Sequence, residues 1–478
     1  MRCVVRILRR PLVAVLAALV CGGGAAVYAG TAGAAEVGVN IAATSGDYFH
    51  SPKVIAALRA TKPAWVRVFV GWNGIEPAQG TYNSAEIASY NHFFNALPAK
   101  TKIDVDVVGS PAWANGGSSD VRTPPTDDAS YAGFVNYLVN AFHGRVDAWE
   151  IWNEEDNSGW WSGTPAQYVG LLKAAYPAIK SADPHATVIV GGLTGNDGAY
   201  LSELYAAGAR GSFDVVGVHT DTACNITSPY VFEFNRGTKT INQYFFLGFI
   251  SIHAAMAAAG DGNKPIYMTE LGWSSTTSEC QVGAWAGKKL AGVSEQTQAT
   301  YLQQAYHCLA QPDYSYVKAA MWFELFDNGS SSNPLDNFGL LTSSYAPKPA
   351  FDAFKNESLN GDQLSTSCGD FTPPSLTIVK PSAGQRYAGP LKITVSASDP
   401  SAGVHEITIY LSKHSRVHFF SKGAPKRFSG TFTWQHAKVL KAGPHTMRVV
   451  AIDKFGNAAT ARITVVHTVS PARGRRHH

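Results

Sequence analysis

The sequence predicts an α/β chain built as a (β/α)8 TIM barrel followed by a small all-β, immunoglobulin-like sandwich. Three observations carry that reading. Between Glu36 and Leu359, short β-like runs alternate with longer helix-like ones, as parallel βα units require. Eight strand runs can be counted, and about 320 residues hold eight strands and the eight helices that follow them. Past the Pro373-Pro374 pair, the helical periodicity gives way to about seven short alternating runs separated by turn residues. A doubly wound open sheet is the main competitor, but no glycine-rich phosphate loop follows the first strand. Composition agrees: 478 residues with 45% apolar and only 15% charged side chains, and with 23 Phe, 20 Tyr and 11 Trp, exclude a disordered chain, a coiled coil and a collagen.

Residues 1–35 read as a secretory signal. Arg2, Arg6, Arg9 and Arg10 precede an apolar run from Pro11 to Val20, and small residues lead to an A-x-A site with cleavage near Ala34 or Ala35. The run is too short to span a bilayer, so no membrane span is expected and the mature chain is placed outside the cell. The barrel is expected over residues 36–364. Its strands are read at Val37–Ala43, Trp65–Gly71, Lys102–Gly109, Asp147–Trp152, Thr187–Gly191, Phe213–His219, Pro265–Thr269 and Val317–Phe323. Helices are read at Ala129–Phe142, Pro165–Ser181, Gln243–Ala259 and Glu295–Ala310. Thr164-Pro165 and Ser294-Glu295 are start signals, and Gly144 follows a helix end. Ser, Thr and Gly around the proline pair mark a linker over residues 365–374. The sandwich takes residues 375–468, and the basic tail 469–478 is expected to be disordered.

Without the leader the chain carries 35 basic and 35 acidic side chains, unevenly divided. Up to Asp370 there are 19 basic and 32 acidic residues, and after it 16 basic and 3 acidic. Such a split predicts two domains with different partners. The basic part holds no nucleic-acid motif, which points to an anionic cell-wall polymer as its partner, or to a passive spacer. Few exposed-looking aromatics besides Trp434, Tyr387 and Phe455 argue against a stacking platform there. Four cysteines follow the leader: Cys224, Cys280, Cys308 and Cys368. None stands in CxxC or CxxH spacing, which argues against zinc and, in an exported chain, for disulfides. Of the three possible pairings, Cys224–Cys280 and Cys308–Cys368 are preferred. The first joins the loops after strands six and seven, the second the seventh helix and the segment after the eighth.

In such barrels the chemistry sits at the C-terminal ends of the strands. The fourth strand runs into Trp149-Glu150-Ile151-Trp152-Asn153-Glu154-Glu155, and the seventh runs from Pro265 through Thr269-Glu270-Leu271-Gly272-Trp273. Each puts a carboxylate at a strand end framed by aromatics. Glycoside hydrolysis needs a proton-donating carboxylic acid and a carboxylate flanking a sugar that stacks on aromatic faces. The two motifs, WEIWNE and PIYMTELGW, resemble the acid/base and nucleophile motifs of clan A glycoside hydrolases, particularly families 39 and 5. Arg67 and Trp72 in WVRVFVGWNGIEP, Pro111 and Trp113 in SPAWAN, His219 ending strand six and Trp322 on strand eight extend the likeness through the barrel. The resemblance implies Glu154 as general acid/base and Glu270 as nucleophile of a retaining mechanism. It implies Asn153 on the sugar 2-hydroxyl, Arg67 and His219 beside the nucleophile and Trp322 as the platform of the −1 subsite. Trp72 and Trp113 complete the expected substrate-binding set. A polysaccharide or oligosaccharide is the implied substrate, with no cofactor and no metal.

A proton donor at neutral pH calls for a raised pKa at Glu154. Arg67 should keep Glu270 ionised by charge proximity. One departure stands out: these families often carry H-x-Y after strand six, where this chain has His219-Thr220-Asp221. An ionised Asp221 would raise the nucleophile's pKa, so either Tyr230 or Tyr244 supplies the hydroxyl or the subsite differs. Structural roles are expected for Glu150 in a barrel-wall network, for Glu155 in a loop contact, and for Asp104 and Asp106. Trp160 and Trp161 are either sugar platforms or loop anchors. The resulting reading is a secreted, monomeric retaining glycosidase acting on β-type bonds, and the alternative is a catalytically inert glycan-binding barrel.

Overall fold

Eight parallel strands close into a barrel in sequence order: β1 (Glu36–Ile41), β2 (Trp65–Gly71), β3 (Lys102–Val108), β4 (Ala148–Ile151), β5 (Thr187–Leu193), β6 (Val215–His219), β7 (Ile266–Leu271) and β8 (Val317–Trp322), with β8 pairing back onto β1. The computed structural model describes residues 34–469 except 43–47, 143, 221–223, 225, 236–237, 239, 282–285, 330–332, 365–367, 412–414 and 421–422. The expected leader, apart from its last two residues, and the basic tail beyond residue 469 lie outside the described residues.

Side chains alternate between the barrel interior and the helix layer. Trp65, Ala148, Ile189, Val215, Ala319 and Met321 fill the floor of the interior. Two residues further along β2 and β4 the same parity brings in Arg67 and Glu150, while Val66, Val68, Trp149 and Ile151 face the helices. The alternation therefore makes an apolar floor under a charged layer.

The helices start where their caps allow. Thr164 and Gln167 form a capping box at helix Pro165–Ala182, Asp127 caps Asp128–Ala141 and Ser294 caps Glu295–Leu309. The helix read from Gln243 begins only at Phe249, after a 3-10 turn at Phe246–Gly248. Asn242 Oδ1 accepts from Tyr244 N at 3.2 Å, a local side-chain turn that competes with helix.

Past the linker, a three-stranded sheet orders Ser375–Lys380, Leu391–Ser398 and Arg427–Trp434. A five-stranded sheet orders Arg386–Tyr387, Ala458–His467, Gly443–Asp453, Val404–Leu411 and Ser415–Phe420. Ile393, Val395, Ile407, Ile409 and Val449 pack between them. Trp434 and Tyr387, read from sequence as exposed, are 3% and 8% exposed. Trp434 pairs with inward-facing Leu391, which turns it into the core. Phe232, in the segment after β6, stacks between Phe371 and Phe455 with centroids 4.8 and 5.3 Å away. Asn457 Nδ2 donates to the Asp370 carbonyl at 2.6 Å beside this stack.

Cys224 is bonded to Cys280 and Cys308 to Cys368. The first bond ties the segments after β6 and β7, and the second ties helix Glu295–Leu309 to the chain beyond helix Pro349–Asn360. Among the described residues, no helix is long and apolar enough to cross a membrane.

Candidate active site

The site is built on Arg67, which is fully buried in the barrel interior. All five of its N–H groups are used. Nε donates to Glu150 at 2.5 Å, Nη1 to Asn40 at 3.0 Å and Glu270 at 2.7 Å, and Nη2 to Asp106 at 2.8 Å and Asn153 at 2.9 Å. Burial alone would lower the pKa of this guanidinium, but Glu150, Asp106 and Glu270 hold it well above its ordinary value. A buried cation persists only with such saturation, and here it fixes the orientation of Glu270 and Asn153.

Glu270 reaches the interior because β7 bulges. Met268 and Glu270 pair with the adjacent residues Val218 and His219 of β6, while Met268 and Leu271 pair with Ala320 and Trp322 of β8. The extra residue re-aims the strand end, so consecutive Thr269 and Glu270 both point inward. Thr269 Oγ1 donates to Glu150 Oε1 at 3.0 Å.

At the end of β4, Trp152 and Glu154 take left-handed φ values of 68° and 45°. Non-glycine residues there cost about 1–3 kcal/mol each and concentrate at functional sites. The turn leaves Asn153 on Arg67 and carries Glu154 to Asn157 Nδ2, which donates to it at 2.8 Å. His219 Nδ1 lies 3.0 Å from Glu154 Oε1 and 3.5 Å from Glu270 Oε2. β5 makes room for the imidazole by a second bulge, between Val190 and Leu193, where a Cβ on Gly192 would overlap His219 Nε2.

Burial opposes a charge on His219, yet Glu270 and Glu154 outweigh it and push the imidazole up to about 10. Burial pushes Glu154 up as well, but the His219 hydrogen bond and charge, with Asn157 and Arg67, hold it below its ordinary value. The expected raised Glu154 is thereby corrected: in the free protein the proton of this pair rests on His219.

A cleft of about 420 Å³ opens over the two carboxyl groups, lined also by Phe69, Asn153, Asn157, Trp160, Phe323 and Glu324. Trp160 lies parallel to Phe69 at 5.6 Å, whereas its neighbour Trp161 is buried edge-on to Trp152. Three expected binding residues are not brought to this cleft. Trp322 is fully buried, its Nε1 donating to the Phe338 carbonyl at 3.0 Å. Ala319 and Met321 face the barrel interior, so Trp322 faces the helices and Phe323 turns inward in its place. Trp72 is fully buried, stacked on Phe134, and donates to Glu76 Oε2 at 2.8 Å. Trp113 packs edge-on to Trp72 and donates to the Glu76 carbonyl at 2.9 Å.

Asp221 lies outside the described residues. Of the candidate tyrosines, Tyr230 packs against the His307 ring and Tyr244 is 61% exposed on another hollow. Among the described residues, no tyrosine lines the cleft. Glu150 joins the Arg67 network as expected. Glu155, expected in a loop contact, is instead buried against Gly191 with neither oxygen hydrogen-bonded among the described residues, and burial pushes its carboxyl well up. Phe69 and Phe323 were missed, although the parities Trp65–Arg67–Phe69 and Ala319–Met321–Phe323 were present to read. Glu324 carried no sequence signal.

Among the described residues, two groups of side chains could hold a metal ion by distance alone: Glu154, His219 and Glu270, and Asp370, Asp399 and Asp453, each group with ligand atoms within 4.8 Å of one another. The first is engaged by Arg67, Asn157 and its own hydrogen bonds. In the second, Asp399 accepts from the Ser401 and Ala402 amides and Asp453 from the Phe455 and Asn457 amides, which makes them turn caps.

The bacterial Ig domain family matches residues 374–449. A family 39 glycoside hydrolase from the gut symbiont Bacteroides cellulosilyticus WH2 superposes with a TM-score of 0.54 at 18% identity, over 85% of this chain and 80% of that one. The fold is one that clan A glycoside hydrolases share. A monomeric β-xylosidase from Caulobacter crescentus CB15 gives 0.51 at 14% identity, over 84% of this chain and 96% of that one. A family 39 β-xylosidase from Caulobacter crescentus gives 0.50 at 16% identity, over 80% and 84%. No curated protein matches the sequence.

Proposed function

We propose that the chain is an exported glycosidase that cleaves β-type glycosidic bonds by double displacement, with Glu154 as acid/base and Glu270 as nucleophile. The observation that carries this is the spacing of the pair: one oxygen of each carboxyl lies within 4.8 Å of the other. So close an approach fits the ~5–5.5 Å carboxyl separation of direct attack.

In the first step Glu270, oriented by Arg67 Nη1, attacks the anomeric carbon while Glu154 protonates the leaving oxygen. The proton is at hand on His219 Nδ1. As Glu270 becomes an ester its negative charge disappears, and with it the strongest force holding the proton on the imidazole. The His219–Glu154 pair thus releases its proton toward Glu154 when the leaving group needs it. In the second step Glu154, now a carboxylate, takes a proton from the water that attacks the ester, and Glu270 is freed with the anomeric configuration retained. Asn153, held by Arg67 Nη2, is assigned to the sugar 2-hydroxyl, and Phe323 and Trp160 to its apolar faces.

The leader and the two disulfides support export. The sandwich, with 16 basic and 3 acidic residues in the chain after Asp370, is assigned as an electrostatic anchor for an anionic wall polymer. The test is reducing-sugar release from xylans, arabinans, β-glucans, mannans and bacterial exopolysaccharides by the wild type and Glu270→Gln. Release from at least one polymer is expected, falling by about 10⁴-fold or more in the variant. An inverted product, or no release from any polymer, overturns the assignment.

A further inference from the structure

Glu324 lies in the wall of the cleft, 1% exposed, beside a pair of carboxyl groups whose chemistry does not use it. Both of its oxygens accept from Asn328 Nδ2 at 2.8 Å, and among the described residues no cation pairs with it. Burial, reinforced by the charges of Glu270, Asp327 and Asp336, pushes this carboxyl well above its ordinary value despite the Asn328 hydrogen bond. That favours the protonated form, which has one O–H to donate and oxygens to accept.

The cations nearby are committed elsewhere. Arg67 uses all five N–H groups within the barrel, and His219 lies between Glu154 and Glu270. Lys348 Nζ donates to Ser275 Oγ at 2.9 Å and to Asp327 Oδ1 at 3.0 Å. The described lining contains four carboxyl groups, Glu154, Glu270, Glu324 and Asp336, and no lysine or arginine. A sugar carboxylate entering here meets the charges of Glu154, Glu270 and Asp336 and, among the described lining residues, no lysine or arginine to pair with, which is discrimination by repulsion. A neutral sugar brings hydroxyls that both donate and accept, the complement of Glu324.

We propose that the cleft selects an uncharged glycone and excludes uronic acids, with Glu324 as the specificity-determining residue that exchanges hydrogen bonds with the glycone hydroxyls. This rests on the glycosidase assignment above.

The test uses pairs that differ only at C6: 4-nitrophenyl β-D-glucoside and β-D-glucuronide, and the corresponding galactoside and galacturonide. The neutral member of at least one pair is expected to have kcat/KM higher by about 100-fold or more. Glu324→Ala should raise KM for it by about 10- to 100-fold, the worth of hydrogen bonds to a buried partner. Glu324→Gln keeps a donor and an acceptor and should restore most of the loss. Its KM should also stay level with rising pH, where the wild type weakens as Glu324 ionises. Equal KM in the two variants, or hydrolysis of a uronide as fast as its neutral partner, overturns the proposal and leaves the glycosidase assignment standing. Calorimetry on Glu270→Gln with mannohexaose and the mannuronate hexamer separates the two. Binding of the neutral hexamer alone, with no hydrolysis by the wild type, overturns the glycosidase assignment and leaves the selectivity. Binding of neither, with no hydrolysis of any glycoside, overturns both.

Discussion

His219 and Glu154 hold one proton between them, and that sharing governs how the site should respond to pH. The wild-type rate is expected to fall as the pH rises toward about 10, where the pair loses its proton. His219→Ala leaves Glu154 to hold a proton alone, so the alkaline limb of the pH–rate profile should move toward acid. An unmoved limb would exclude proton sharing. The same group contributes to folding. Its folded pKa is raised from 6.5, so its stabilisation is complete below that value and is lost as pH climbs through about 10. A second contrast is at β8. Phe323→Ala should raise KM by up to about tenfold while leaving the melting temperature nearly unchanged. Trp322→Ala should cost about 3–5 kcal/mol of stability, read by denaturant unfolding, because that ring packs under the helices. In sequence the two aromatics are adjacent and Trp322 was the one expected at the sugar, but the inward parity of Ala319 and Met321 puts Phe323 there instead.

At the scale of elements, periodicity was enough for the barrel. Near-continuous apolar runs, helical spacing and the start signals at Thr164 and Ser294 are local properties, so the strands and four of the helices were legible, whereas helices such as Pro52–Thr61, Ser84–Ala96 and Pro349–Asn360 were not named. The strand tops were not, because bulges in β5 and β7 shift the alternation on which a sequence argument relies. Glu270 was found through its aromatic frame rather than through parity, and Gly192 was not singled out at all. Gly192→Ala should push His219 off Glu154, lower stability by about 1–3 kcal/mol and shift the pH profile as His219→Ala does. Gly133→Ala, in helix Asp128–Ala141 where a Cβ meets nothing within 4 Å, serves as the opposite case. It should stabilise by about 0.5–1 kcal/mol in the same unfolding experiment.

At the scale of the molecule, the change of architecture past Pro374 was legible from composition, but the way the two parts meet was not. Phe232, Phe371 and Phe455 are far apart in the chain and none carries a local signal of contact, yet their rings form one stack. Phe455→Ala should uncouple the parts, turning a single calorimetric transition into two; an unchanged endotherm would count against a cooperative junction. The Cys308–Cys368 bond sits at the same seam, with Glu154 and Glu270 on one side of it and the whole sandwich on the other. Any peptide bond between residues 308 and 368 can be cut without parting the molecule. In surroundings rich in peptidases a nicked chain stays one covalent piece, and only a reductant opens the lock.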